Sequence, residues 1–202
     1  VLAQATGMSG VLFAAIAACL PILVTGGIHM DGYLDTVDAL SSHQTCEKKL
    51  AIMKDANCGA FAVIYGGVYL LAYAGFAYEV FAAGHILLIC PLFVLSRALS
   101  GLCAVNLPNA RKSGMLCAFT SGVQRRTATV ALTLVGLAAA AGMVWMSPTA
   151  GGMAAAFAVV SALKYRRFAL AQFGGVTGDT SGFFLQLCEL CGLIGVWIGG
   201  LL

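Results

Sequence analysis

Apolar residues in this chain come in long runs separated by polar joins, with little of the strict alternation that marks a half-buried strand. Six runs approach the ~20 residues needed to cross a bilayer as a helix. They lie at roughly 4–24, 59–80, 84–105, 128–146, 149–163 and 182–202. The fifth is short for a span. Ser147-Pro148, between the fourth and fifth, predicts a tight helical hairpin. The pattern as a whole predicts an all-α, polytopic integral membrane helical bundle of about six transmembrane helices, forming a single domain over 1–202. No composition break, low-complexity tract or internal repeat divides it. The first run leads into chemically active residues rather than a small-residue cleavage site, so it does not read as a signal peptide.

Composition supports the membrane reading. Hydrophobic residues make up 60% of the chain and charged residues 9%, where a soluble domain carries about 25% charged residues. Mean hydropathy is +0.94. Such a chain cannot cover a globule with polar side chains, so the lipid bilayer is its expected solvent. Charge then orients the bundle. Lys48, Lys49 and Lys54 fall in the first join, Arg111, Lys112, Arg125 and Arg126 in the third, and Lys164, Arg166 and Arg167 in the fifth. The second and fourth joins contain no Lys or Arg. The positive-inside rule therefore predicts a multi-pass protein of the cytoplasmic (inner) membrane whose active face looks into the cytoplasm. The net charge of +3 is accounted for by that basic rim, and no aromatic-basic motif suggests nucleic acid. Cys46, Cys58 and Cys117 would face a reducing cytoplasm, which argues against disulfides. The oligomeric state is left open, a homo-oligomer included.

Against this background the stretch from Thr25 to Ala39 stands out. It holds three of only eight acidic residues, together with His29. Asp31, Asp35 and Asp38 stand at i, i+4 and i+7, on one stripe of a helix. Three like charges repel, so the arrangement suggests a cation or a cationic ligand among them. Oxygen-only ligands suit a hard ion such as Mg²⁺. A second constellation, Gly174 to Gly182, precedes Gln186 and Glu189. Its glycines permit close backbone approach, and Thr177, Asp179 or Thr180 can cap the last helix. A helix start of this kind favours phosphate. Glu189 and Arg97 fall inside apolar runs, where an ionisable group is a candidate functional residue. Each residue also has a structural reading: Arg97 as an interface anchor, Asp55 as a loop or cap residue, Arg111 as one more orientation charge.

Four separated stretches, TGGIHMDGYLDTVDAL, EKKLAIMKDANCGAF, NARKSGM and GGVTGDTSGFFLQLCEL, resemble in order and spacing the cobalamin-5′-phosphate synthase family, the adenosylcobinamide-GDP ribazoletransferases. The resemblance implies a membrane enzyme that uses Mg²⁺ to join adenosylcobinamide-GDP to α-ribazole or α-ribazole 5′-phosphate, releasing GMP. Carried over by motif position, it implies catalytic roles for His29, Asp38, Asp55 and Arg97. Substrate binding would fall to Arg97, Arg111, Gly26, Gly27, Gly175, Thr177 and Gly178. Metal binding would fall to Asp31, Asp35, Asp38, Asp179 and Glu189. His29 and Asp38 both remain open as the base. The chain departs from the family pattern at Gln186, where Glu is usual, at Ala62, where Gly is common, and at Tyr33-Leu34 in place of a smaller pair. The family also carries a further N-terminal stretch, which would add to the count of spans. Two other classes use similar chemistry. A CDP-alcohol phosphotransferase would show a different order of Asp residues, and a divalent-cation transporter would place its carboxylates along a path near mid-bilayer.

Overall fold

Each apolar run forms a helix in the computed structural model, which describes residues 7–202 except Ala56. Nine α-helices are present among the described residues: α1 (Gly10–Val24), α2 (Ile28–Ser41), α3 (Cys46–Ile52), α4 (Ala60–Ala82), α5 (Ile89–Asn106), α6 (Met115–Thr120), α7 (Arg125–Met146), α8 (Pro148–Phe173) and α9 (Gly178–Gly200). A single 3₁₀ turn, Ile86–Leu88, leads into α5. The start of the first predicted span, residues 4–6, lies outside the described residues.

The six predicted segments fall on α1, α4, α5, α7, α8 and α9, but their lengths need correcting. Four helices are long and apolar enough to cross a membrane on their own: α4, the 3₁₀ turn with α5, α7 and α9. A fifth crossing results only if α1 and α2, bent by 93° at their junction, count as one broken span. The fifth predicted segment stopped at 163 because of the charges beyond it. Yet α8 runs 26 residues, to Phe173, so Lys164, Arg166 and Arg167 lie on its last turns and not in a join. Those charges dilute its hydropathy. Its connections still return it through the bundle between α7 and α9.

Local chemistry sets the helix boundaries. Ser147 caps α8 from an extended backbone and Pro148 takes the first helical position, where a missing N–H costs nothing. Gly174 ends α8 at φ 71°, a left-handed stop that glycine adopts readily. The α1–α2 bend depends on the same freedom, with Gly26 at φ 64° and Gly27 at φ 80°. α9 opens with a capping box in which the Thr177 side chain accepts from the Thr180 N–H, while the Thr180 hydroxyl accepts from the Thr177 N–H.

Small residues set how the helices pack. A Cβ added at Gly195 would stand 2.7 Å from the Ala154 Cα, and one at Gly199 would stand 2.6 Å from the Ala150 Cα. α8 and α9 therefore run antiparallel with backbones in contact, and Gly195 and Gly199 form a small-xxx-small pair facing the alanines of α8. The core around this seam is closed by Leu92, Leu95, Met143, Phe184 and Leu193, all buried. At one end of the bundle, α2 crosses the start of α9. That crossing positions the candidate site.

Candidate active site

α2 lies against α9 through two glycines, one on each helix. A Cβ on Gly32 would sit 2.7 Å from the Asp179 carbonyl oxygen, and one on Gly182 would sit 2.8 Å from the His29 carbonyl oxygen. Either methyl would push the helices apart. With hydrogen at both places, the first turn of α2 and the first turn of α9 share one cleft of about 330 Å³. His29 and Asp31 line it from α2, and Thr177, Gly178 and Asp179 from α9.

The third wall is the loop after α5. Pro108 follows Leu107 and ends the helix. The loop then pairs with the turn before α9: the Val176 N–H donates to the Pro108 carbonyl at 2.9 Å, and the Ala110 N–H donates to the Val176 carbonyl at 2.9 Å. Gly175 makes this possible, because a Cβ there would strike the Pro108 carbonyl. The pairing sets Arg111 beside Asp179. Its Nη1 donates to the Asp179 Oδ2 at 2.9 Å and its Nη2 to the Leu50 carbonyl at 3.1 Å. Its Nε is buried and has no protein partner.

The cleft is rich in negative charge. The Asp35 carboxyl lies in the field of Asp31, Asp179 and Asp38, with Arg111 as the opposing charge. Four carboxylates against one guanidinium leave the group short of positive charge. The first N–H groups of α9, at Gly178 and Asp179, precede its internal hydrogen bonding and face an anion favourably.

Other residues singled out from the sequence are held elsewhere. The Asp38 Oδ2 accepts the Gly59 N–H at 2.9 Å, at the start of α4, and Gly59 is needed because a Cβ there would overlap that carboxylate. Asp55 is fully solvent-exposed. Its Oδ1 accepts the backbone N–H of Asn57 at 3.0 Å and the side-chain amide at 2.8 Å, which together hold its carboxyl below the usual range. Gly26 and Gly27 make the bend ahead of α2.

Arg97 and Glu189 pair with each other. The Arg97 Nη1 donates to the Glu189 Oε1 and, at 2.9 Å, to the Ser96 Oγ, while the guanidinium lies 5.0 Å from the Phe93 ring centroid. Glu189 is 2% exposed. It lies ten residues beyond Asp179 on one helix, about 15 Å of rise, so the two carboxylates cannot share an ion. Arg97 sits one turn from Ser100, which lines the cleft, and its charge reaches His29. Gln186 accepts from the Tyr69 hydroxyl. Among the described residues, no three His, Cys, Asp or Glu side chains converge tightly enough to enclose a metal ion.

The cleft also has members that the sequence did not single out: Ser100, Asn109, Ser113 and Ser181. The one signal for them was adjacency to Arg111 and Asp179. The glycines of His29-Met30-Asp31-Gly32 and Gly178-Asp179-Thr180-Ser181-Gly182 were a clearer signal, since each places a side-chain-free position within three residues of an acid.

Comparison with known proteins gives a family for the whole chain. A sequence profile described as cobalamin-5-phosphate synthase matches residues 1–197. The chain is 40% identical over 183 residues to the adenosylcobinamide-GDP ribazoletransferase of Lachnoclostridium phytofermentans, covering 91% of this chain and 70% of that protein. It is 34% identical to the protein of that name from Sinorhizobium sp, over 89% of this chain and 71% of the relative. A third such protein, from Stutzerimonas stutzeri, is 33% identical over 94% and 76% respectively. No solved structure matches.

Proposed function

The chain belongs to the cobalamin-5-phosphate synthase family, and we propose that it joins adenosylcobinamide-GDP to α-ribazole or its 5′-phosphate in a Mg²⁺-dependent step, releasing GMP. The observation that carries this reading is the shared cleft. It sets Asp31, Asp179, Arg111 and a free helix start around one space large enough for a diphosphate. A diphosphate needs cations along its oxygens, an aligned nucleophile and charge stabilisation on the leaving phosphate.

The donor set fits magnesium. Mg²⁺ is commonly held by one or two carboxylates, with waters and substrate phosphates completing the shell, so a closed protein cage is not required. Asp31 and Asp179, which line the cleft, would hold it, and when bound it would supply the positive charge that a diphosphate needs.

The remaining steps fall to the chain's own residues. Arg111, anchored by Asp179 and the Leu50 carbonyl, lines the cleft and turns its guanidinium charge to a phosphate oxygen. The N–H groups at Gly178 and Asp179 take up a second phosphate. The α-ribazole 3′-hydroxyl oxygen bonds to the phosphorus linked to cobinamide, the bond from that phosphorus to the GMP oxygen breaks, and its electron pair departs with GMP. His29 takes the hydroxyl proton. Between the two candidate bases, His29 is favoured because it lines the cleft, while Asp38 is engaged by the Gly59 N–H. Arg97, fixed by Glu189, keeps positive charge beneath the cleft.

A cytoplasmic active face in the inner membrane is supported by the basic residues gathered at the cleft's end of the bundle. The test is GMP release by the full-length protein in detergent, given adenosylcobinamide-GDP and α-ribazole. Release should require both substrates, stop on chelation and return with Mg²⁺. Active preparations that release GMP equally without Mg²⁺ would overturn the metal assignment, and absence of release would overturn the reaction.

A further inference from the structure

A second, larger hollow lies away from the cleft, on the flank of the bundle between α8 and α9. Its volume is about 610 Å³, within the range of small-molecule sites. Phe157, Val160, Tyr165, Phe168, Phe183 and Leu187 form its wall, and Lys164 lines it one turn before Phe168. Three features set it apart from an ordinary seam between helices.

The first is position. The hollow follows α8 from Ala156 to Phe168, twelve residues or about 18 Å, and the part between Ala156 and Lys164, about 12 Å, approaches the ~15 Å of hydrocarbon in one leaflet. Val160, on its lining, is exposed, so the hollow opens on the outer face of the bundle. The second is the lysine. With hydrocarbon taken to begin at Pro148, the first position of α8, about 30 Å would reach roughly residue 168 and would set the Lys164 backbone inside the apolar layer. Among the described residues, Lys164 makes no ion pair; the two salt bridges are Arg97–Glu189 and Arg111–Asp179. A cation at that depth requires an anion or must reach outward to the headgroups. The third is continuity of charge. Arg167 stands at i+3 from Lys164, on the same side of α8, one turn nearer the headgroup layer.

We propose that this groove binds an anionic phospholipid from the leaflet at the basic end, with an acyl chain along Phe157, Val160 and Leu187 and its phosphate on Lys164 and Arg167. Apolar length, lateral opening and an unpaired cation on the lining together match that amphiphile. A zwitterionic lipid offers the same chain but carries its own cation beside the phosphate. Basic pockets between transmembrane helices commonly select acidic headgroups on this principle.

The test uses the full-length protein in mixed micelles holding equal phosphatidylglycerol and phosphatidylcholine, with retained lipid counted by native mass spectrometry. Wild type should retain phosphatidylglycerol about fivefold over phosphatidylcholine. Lys164→Gln should remove the preference while leaving total lipid similar, and Val160→Trp should lower retention of both lipids by filling the groove. Arg126→Gln, at the same end but off the groove, should change neither. Equal retention by wild type would overturn the proposal, as would a preference that survives Lys164→Gln. A Val160→Trp protein that changes oligomeric state with its lipid count intact would also overturn it, assigning the groove to a second copy of the chain.

Discussion

Two helix crossings in this molecule are built on the same device, and only one of them carries chemistry. Where α8 meets α9, Gly195 and Gly199 let the backbones touch beside alanines, at the end of the bundle away from the cleft. Where α2 meets α9, Gly32 and Gly182 do the same, but the residues next to them are His29, Asp31 and Asp179. The first contact makes van der Waals packing, the main attraction available between helices in lipid. The second accepts a cost, since it draws like charges together and leaves them short of cations. A fold keeps that cost where something outside the chain repays it. Close approach alone therefore says little about function; the neighbours of the glycine decide.

Substitutions can break this contrast. The largest effect is expected at the acids themselves. Asp31→Asn and Asp179→Asn should each lower GMP release by roughly 10²–10³-fold, the scale for losing one group that stabilises transition-state charge, with thermal unfolding little changed. Gly32→Ala should act on both properties, because its methyl meets the Asp179 backbone and not a movable side chain. Overpacking of this kind costs about 1–3 kcal/mol, visible as a lower unfolding temperature, and turnover per folded molecule should fall with it. Gly195→Ala should cost the same ~1–3 kcal/mol in unfolding measurements while leaving turnover per folded molecule intact. Equal activity losses from Gly32→Ala and Gly195→Ala would erase the distinction. The smallest effect is expected for Asp55→Asn, whose carboxylate is exposed and engaged by Asn57. GMP release should stay within about twofold of wild type, as for most surface changes.

The contrast also shows what a sequence can disclose. The Asp31, Asp35 and Asp38 stripe was legible because helical periodicity is local, and so was the Thr177 cap. Roles that depend on a distant partner were not. Glu189, a metal ligand by the family resemblance, lies buried beside Arg97 from 92 residues away, a partner no local pattern announces. Asp38 belonged to the stripe by spacing, yet it serves the start of α4 because Gly59 leaves room for it. The end of α8 was misplaced for a related reason: hydropathy falls at Lys164, but the helix continues to its glycine stop at Gly174.

By itself, then, the sequence determined a helical membrane chain, six of the segments that become its helices, the end at which its charges gather and the two acidic motifs. Composition and periodicity act within a few turns, so these properties need no distant contact. The tertiary structure alone decided which charge meets which: Arg111 with Asp179, Arg97 with Glu189, and Asp31 across from Asp179. Those pairings depend on backbones approaching to within a missing methyl group, and in a medium of low dielectric a carboxylate's role is set by the cation that packing places beside it.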